Sequence, residues 1–147
     1  MKRVLIALLV ILSISIFAEI RIGVLLPLTG GISAFGDWTK KGVDLAHKQK
    51  GTVLGEKVTL VYVDTRSEKT EAANGMARLT DKEKVVAVIG EIASSNSMAA
   101  AEIAESRKVP QVAVTSTSPL VTQGKKVHFE SLLYRPAARY RTCGICR

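Results

Sequence analysis

Residues 85–119, VVAVIGEIASSNSMAAAEIAESRKVPQVAVTSTSP, decide how this chain folds. They read as a buried strand (85–89), a turn at Gly90, a hydroxyl-rich segment, a helix (96–106), a second buried strand (109–115) and a second hydroxyl-rich turn. Short apolar runs separated by helix-length segments are the pattern of βαβ units. Two neighbouring parallel strands would then end in small polar groups on one edge of a sheet. In open α/β sheets, ligands bind outside that carboxyl edge. The segment therefore offers a place to bind something without supplying an evident catalytic group.

Working outward, the alternation extends toward the N-terminus. Residues 20–26, IRIGVLL, are apolar and β-branched enough for a buried parallel strand, and Pro27 stops it. A loop, LTGGISAFG, leads into a helix over residues 37–48, where Trp38, Gly42, Leu45 and Ala46 fall near helical spacing. Residues 58–63, VTLVYV, make the next strand and end at Asp64 and Thr65. A second helix over residues 69–79 carries Ala72, Ala73, Met76, Ala77 and Leu79 on its apolar face. Strands alternating with helices predict an α/β fold, a Rossmann-like parallel sheet with helices on both faces.

The first eighteen residues read as a processing signal outside this fold. Lys2 and Arg3 precede a 14-residue apolar run, 4–17, and Ala18 offers a small residue for cleavage. Ile16 fits the small-residue rule poorly, so an uncleaved N-terminal anchor stands as the alternative. Either way the chain is expected to be exported, to the periplasm or another extracytoplasmic space. No Cys follows the run, so a lipid anchor is not expected there.

The net charge of +8 hints at nucleic acid, but its distribution argues otherwise. Between residues 19 and 126 there are 15 Lys and Arg against 12 Asp and Glu, with the signs interspersed. No basic face interleaved with aromatics and no nucleic-acid motif is present, so no nucleic-acid partner is expected.

Residues 127–147 have a different composition. Residues 1–126 hold 12 Lys and 5 Arg, while this tail has 4 Arg and no Lys, both cysteines and two of the three tyrosines. Cys143 and Cys146 have the spacing of a redox or metal half-site. They lie at the end of the chain without further ligands, and an incidental pair is the plainer reading.

Catalytic motifs are missing. There is no G-x-S-x-G elbow, and Gly30, Gly31 and Gly36 are wrongly spaced for a P-loop or a G-x-G-x-x-G fingerprint. The carboxylates Asp37, Asp64, Asp81 and Glu91 are scattered, and His47 sits among charges as a surface residue. The expectation is no enzyme, no metal and no cofactor. What remains is the hydroxyl cluster. Ser94, Ser95 and Asn96 stand where a strand gives way to a helix, whose free N–H groups suit a carboxylate. Thr115, Ser116 and Thr117 follow the neighbouring strand, so a zwitterionic amino acid could lie between the two turns. The same residues would also serve as an N-cap and a plain turn, and spacing does not separate these readings.

With these residues in view, the chain resembles the periplasmic solute-binding proteins of branched-chain amino-acid ABC transporters. IRIGVLLPLTGGISAFGDWTKKGVDLA, VTLVYVDT and VVAVIGEIASSNSMAAAEIAESRKVPQVAVTSTSP carry the likeness across most of residues 20–126. The resemblance implies a type I binding-protein N-lobe over residues 19–126, with Phe35 covering the ligand from the first loop. It matches Ser94 to the hydroxyl that meets the α-carboxylate, and Thr115 and Thr117, with Ser116 between them, to positions holding carboxylate and ammonium. It also implies a hinge, a second lobe and a membrane permease as partner of the full-length form. Because the text changes at residue 127, the expectation is a truncated or frameshifted member with weak or no binding. A nonfunctional remnant, or a sensor of amides or amino acids with the same fold, are the alternatives.

Overall fold

A computed structural model describes residues 19–131. Residues 1–18, expected to be an export signal, and residues 132–147, with Cys143 and Cys146, lie outside the described residues. Strands β1 (Ile20–Leu26), β2 (Thr52–Val53), β3 (Glu56–Asp64), β4 (Ala87–Ile89), β5 (Gln111–Ala113) and β6 (His128–Glu130) form one sheet in the order β2-β3-β1-β4-β5-β6. All pairs are parallel except the short hairpin of β2 with β3. Helices α1 (Ser33–Gln49), α2 (Lys69–Asp81) and α3 (Ser94–Arg107) connect the strands. The parallel α/β sheet read from the alternation is present, with helices on both faces.

One face is closed by α2 and α3. Leu25, Val63 and Val88 from the sheet pack there with Met76, Leu79, Ala100 and Ala104 from the helices. The other face carries a smaller cluster, Val24, Leu26 and Ile92, against which Val43 of α1 and Leu60 and Tyr62 of β3 pack. Gly36 lets α1 start tight against the end of β1, since a Cβ there would sit 2.1 Å from the Pro27 carbonyl oxygen. This close approach starts α1 four residues earlier than the spacing predicts, inside the stretch expected to be loop.

Two further elements differ from the sequence expectation. The β2–β3 hairpin turns at Leu54 and Gly55, both at positive φ (53° and 85°), and was not anticipated. Beyond the expected boundary at Lys126 the sheet continues. In β6, Val112 pairs with Phe129 across the β5–β6 ladder, and the Gln111 N–H donates to the Val127 carbonyl (2.9 Å). The Glu105 carboxylate accepts from the N–H groups of Lys126 (2.7 Å) and Val127 (2.6 Å), which seats the entry to this strand.

Candidate functional site

The strand order places a switch point between β1 and β4. From β1 the chain passes through α1 to β3 on one side, and from β4 through α3 to β5 on the other. Helices α1 and α3 therefore leave the same carboxyl edge toward opposite faces and open a crevice between neighbouring strand ends. Phe35 stands on the first turn of α1, and Ser94 is the first residue of α3.

The floor of this edge is tied together by two carboxylates. Asp64, at the end of β3, accepts from the N–H groups of Leu28 (2.8 Å), Thr29 (3.1 Å) and Arg66 (2.8 Å) and from the Thr29 hydroxyl (2.6 Å). Burial pushes this carboxyl up. The Thr29 hydroxyl and the three N–H groups outweigh it and hold the pKa below the usual range. The Ser67 hydroxyl donates to the Thr29 carbonyl (2.9 Å) and accepts from the Ile32 N–H (3.2 Å), fixing the approach to Phe35.

Glu91 does the same for the next strand. It is fully buried, and its carboxylate accepts from the Thr65 hydroxyl (2.5 Å) and from the N–H groups of Ile92 (2.9 Å) and Ala93 (3.0 Å). The ends of β3 and β4 and the entry to α3 thus converge on one side chain. Gly90 precedes it at φ +117°, where a Cβ would lie 1.9 Å from the Leu25 carbonyl oxygen, so only glycine fits.

On this floor stands the hydroxyl cluster. The Ser94 hydroxyl oxygen accepts from the N–H groups of Thr117 (3.2 Å) and Ser118 (3.3 Å), which pins the turn after β5 to the start of α3. With both bonds accepted, its own proton is free to be donated. Ala93 is the N-cap of α3 and no side chain caps the helix, so neither Ser94 nor Ser95 is consumed as a cap. The first-turn N–H groups, which have no partner inside the helix, face the same crevice end. Thr115 and Thr117 are exposed, and their hydroxyls make no hydrogen bond among the described residues.

Ser116 is different. It is buried, shares a hydrogen bond with the Ser97 hydroxyl (2.7 Å) and donates to the Ile92 carbonyl (3.2 Å). Of the five residues the sequence singles out, Ser94 and Thr117 are joined through the Thr117 N–H, Thr115 stands exposed at the start of the same turn, and Ser116 is a buried clasp between the two threonines. Phe35 stands apart on the α1 side, half-exposed, with its ring edge-on to Trp38 (5.4 Å, 72°). The carboxylates Asp64 and Glu91 were read as scattered. Their common position just after an apolar strand run was the signal that would have placed them at one edge. Among the described residues no group of three His, Cys, Asp or Glu could hold a metal ion.

Comparison with known proteins agrees with this architecture. The sequence matches the Periplasmic binding protein family over residues 19–142, and the chain belongs to that family. That match runs past the composition change at residue 127. An amino acid binding protein of Pseudomonas aeruginosa is 33% identical over 115 residues, 76% of this chain and 31% of that protein. Among solved structures, the leucine binding protein LivK of Thermotoga maritima superposes with a TM-score of 0.74 at 60% identity, covering 76% of this chain and 32% of that one. The branched-chain amino acid transporter substrate binding protein LivJ of Streptococcus pneumoniae, solved with isoleucine, gives 0.74 at 30% identity over 77% and 33%. The chain thus spans about a third of the length of these relatives. The family is one of transport binding proteins.

Proposed function

We propose that this chain supplies one wall of the amino-acid site of an extracytoplasmic binding protein that serves a membrane permease of the ABC type. One observation carries the reading: Ser94 accepts two backbone N–H bonds at the uncapped start of α3, leaving its proton and the helix N–H groups for a carboxylate. Thr115 and Thr117 carry exposed hydroxyls on the turn pinned to Ser94, and in this reading they serve the ammonium and carboxylate of an α-amino acid. Phe35 covers the ligand from the α1 side. Ser116 acts by holding the turn. The ligand class is a branched-chain amino acid, as for the leucine- and isoleucine-binding relatives. Residues 19–126, together with β6, form the lobe, and residues 1–18 are its export signal.

A single wall leaves most of a ligand's surface in water, so binding by this chain alone is weak, on the order of millimolar or poorer. The test is amide NMR of the chain with leucine, isoleucine and valine at tens of millimolar, a range set by that weak affinity. The amides of Thr117 and Ser118 are expected to shift, and Ser94→Ala to remove the shift while the spectrum stays folded. Unmoved amides would defeat the site assignment, and micromolar leucine affinity would defeat the one-wall reading.

A further inference from the structure

The amino edge of the sheet, opposite the ligand crevice, sorts in space the charges that the sequence intersperses. The starts of β1, β3, β4, β5 and β6 meet the last turns of α1, α2 and α3 there. The arginines of this edge are engaged. Arg107 donates to Asp81 from two nitrogens (2.7 and 3.0 Å), and Arg21 (2.7 Å) and Arg78 (3.7 Å) share Glu83. Lys125 pairs with Glu102, and Glu105 accepts from the N–H groups that lead into β6. What is left over is lysine. Lys48 and Lys50 at the end of α1, Lys57 at the start of β3, Lys82 and Lys84 after α2, Lys108 after α3 and Lys126 before β6 are all exposed. None of these seven forms an ion pair among the described residues, and only Glu19 and Glu56 stand against them at this edge.

Helix dipoles favour cations in the last turn, which accounts for Lys48 but not for lysines past the helix ends or at strand starts. Two of them are held against local preference. Lys84 (φ 53°) and Lys108 (φ 58°) occupy left-handed backbone, where glycine or asparagine is favoured. The edge also has an apolar tip. Leu54 lies at the turn of the β2–β3 hairpin, flanked in sequence by Lys50 and Lys57, and is 97% exposed. Val53 beside it and Val86 just before β4 are exposed as well.

We infer that this edge docks on an anionic lipid surface, with the lysines among the headgroups and Leu54 entering the acyl boundary. Clusters of about four to eight cations are drawn to such surfaces, and an apolar side chain at their centre adds burial to the attraction. Lysine suits the role, since a point charge needs no matching fork on its partner. A nucleic acid fits less well. Base stacking calls for aromatic side chains, and the exposed apolar residues of this edge are aliphatic, with Phe35, Trp38 and Phe129 elsewhere. The apolar run of residues 4–17 precedes β1 by two residues, so a chain led to a membrane by that run brings this edge to it. Docked in this way, the lobe holds its crevice on the side away from the lipid.

The test is amide NMR of the full chain with phosphatidylcholine bicelles, with and without phosphatidylglycerol, carrying a nitroxide on a fraction of the headgroups. In anionic bicelles the amides of Leu54, Lys57, Lys84 and Lys108 are expected to broaden, while those of Thr117 and Ser118 at the crevice stay sharp and report an intact fold. Lys50→Gln combined with Lys57→Gln should weaken the effect at least about fivefold. Lys41→Gln combined with Lys69→Gln, which removes two exposed lysines away from the edge, should leave it unchanged. Leu54→Asn keeps a residue suited to the left-handed turn and should also weaken the effect, by about threefold. Sharp edge amides overturn the proposal, as does equal broadening in neutral bicelles or in the Lys50/Lys57 variant. A DNA duplex that perturbs the same amides more strongly than the anionic bicelles, and equally in Leu54→Asn, overturns it in favour of a nucleic-acid surface.

Discussion

Two adjacent cross-strand rows run the width of this sheet and have opposite fates. Val61, Gly23, Val88, Gln111 and His128 point to the face closed by α2 and α3, and burial holds to the edge, with Val88 and Gln111 at 0% exposure and His128 at 3%. Among the described residues, the row one residue on, Tyr62 to Phe129, is closed only where α1 lies over it. The same backbone therefore presents a finished core on one side and an unfinished one on the other. The difference shows where neighbouring helices are supplied by the described residues and where they are not. The covered row even buries polar groups at its far end, while the open row leaves apolar ones in water.

The contrast is sharpest in core truncation. Leu79 of α2 is fully buried against the closed face, and Leu79→Ala is expected to cost about 3 kcal/mol from lost burial and the cavity left behind. Equilibrium urea unfolding measures it. A loss under about 1 kcal/mol would mean that the closed face is not the stabilising core, since buried leucine truncations cost at least twice that. Of similar or slightly smaller size is Glu91→Ala, which leaves the Thr65 hydroxyl and two backbone N–H groups without their acceptor. About 2 kcal/mol is expected, because buried donors left without an acceptor are costly to strand. Thr65→Ala, which removes only one of those donors, should lose clearly less.

The alternation of strands and helices was legible because parallel strands buried on both faces are written as unbroken apolar runs, as in IRIGVLL and VTLVYV. The serines at the head of α3 stand out as small hydroxyl residues at a strand-to-helix junction, but spacing does not separate a ligand position from a cap or a plain turn; only the folded geometry shows that no side chain caps this helix. Other features depend on tertiary partners that spacing does not encode. Trp38, Gly42, Leu45 and Ala46 fall near helical spacing, yet they form the exposed flank of α1, and the sheet contact falls on Gly36 and Val43. A helix with two apolar stripes gives no local sign of which one meets the sheet. Ser116 looked like its neighbours and is buried because a strand leaving the sheet alternates its side chains. Strand β6 has only three residues and one strongly apolar side chain, Phe129, too little for a periodic signal.

A smaller effect follows from the buried end of the covered row. Burial lowers the pKa of His128 to about 4; Glu105 opposes this and Lys125 adds to it. Its ring nitrogens have no hydrogen-bond partner among the described residues. The folded state thus binds a proton less readily than the unfolded chain, where an ordinary histidine titrates near 6.5. Stability is therefore undiminished above about pH 6.5 and falls progressively as the pH drops toward about 4, where the folded form also protonates. His128→Leu should flatten the stability profile between those limits. Below them the decline should persist in both proteins, because Asp64 gives up its hydrogen-bonded carboxylate there.

The smallest effect is the one that most directly separates the two rows. Val112→Thr places a hydroxyl on the open face, where solvent already reaches the side chain. It should change unfolding stability by less than about 0.5 kcal/mol, the range of surface substitutions. Val88→Thr, one strand over on the closed face, buries the same hydroxyl without a planned partner and should cost roughly 1–3 kcal/mol. The two changes are chemically identical and sit in neighbouring rows of one sheet. Equal losses would mean that Val112 is covered in solution and that the two rows do not differ in burial there. Unequal losses mean that solvent reaches the row of Val112 while the row of Val88 stays sealed by α2 and α3.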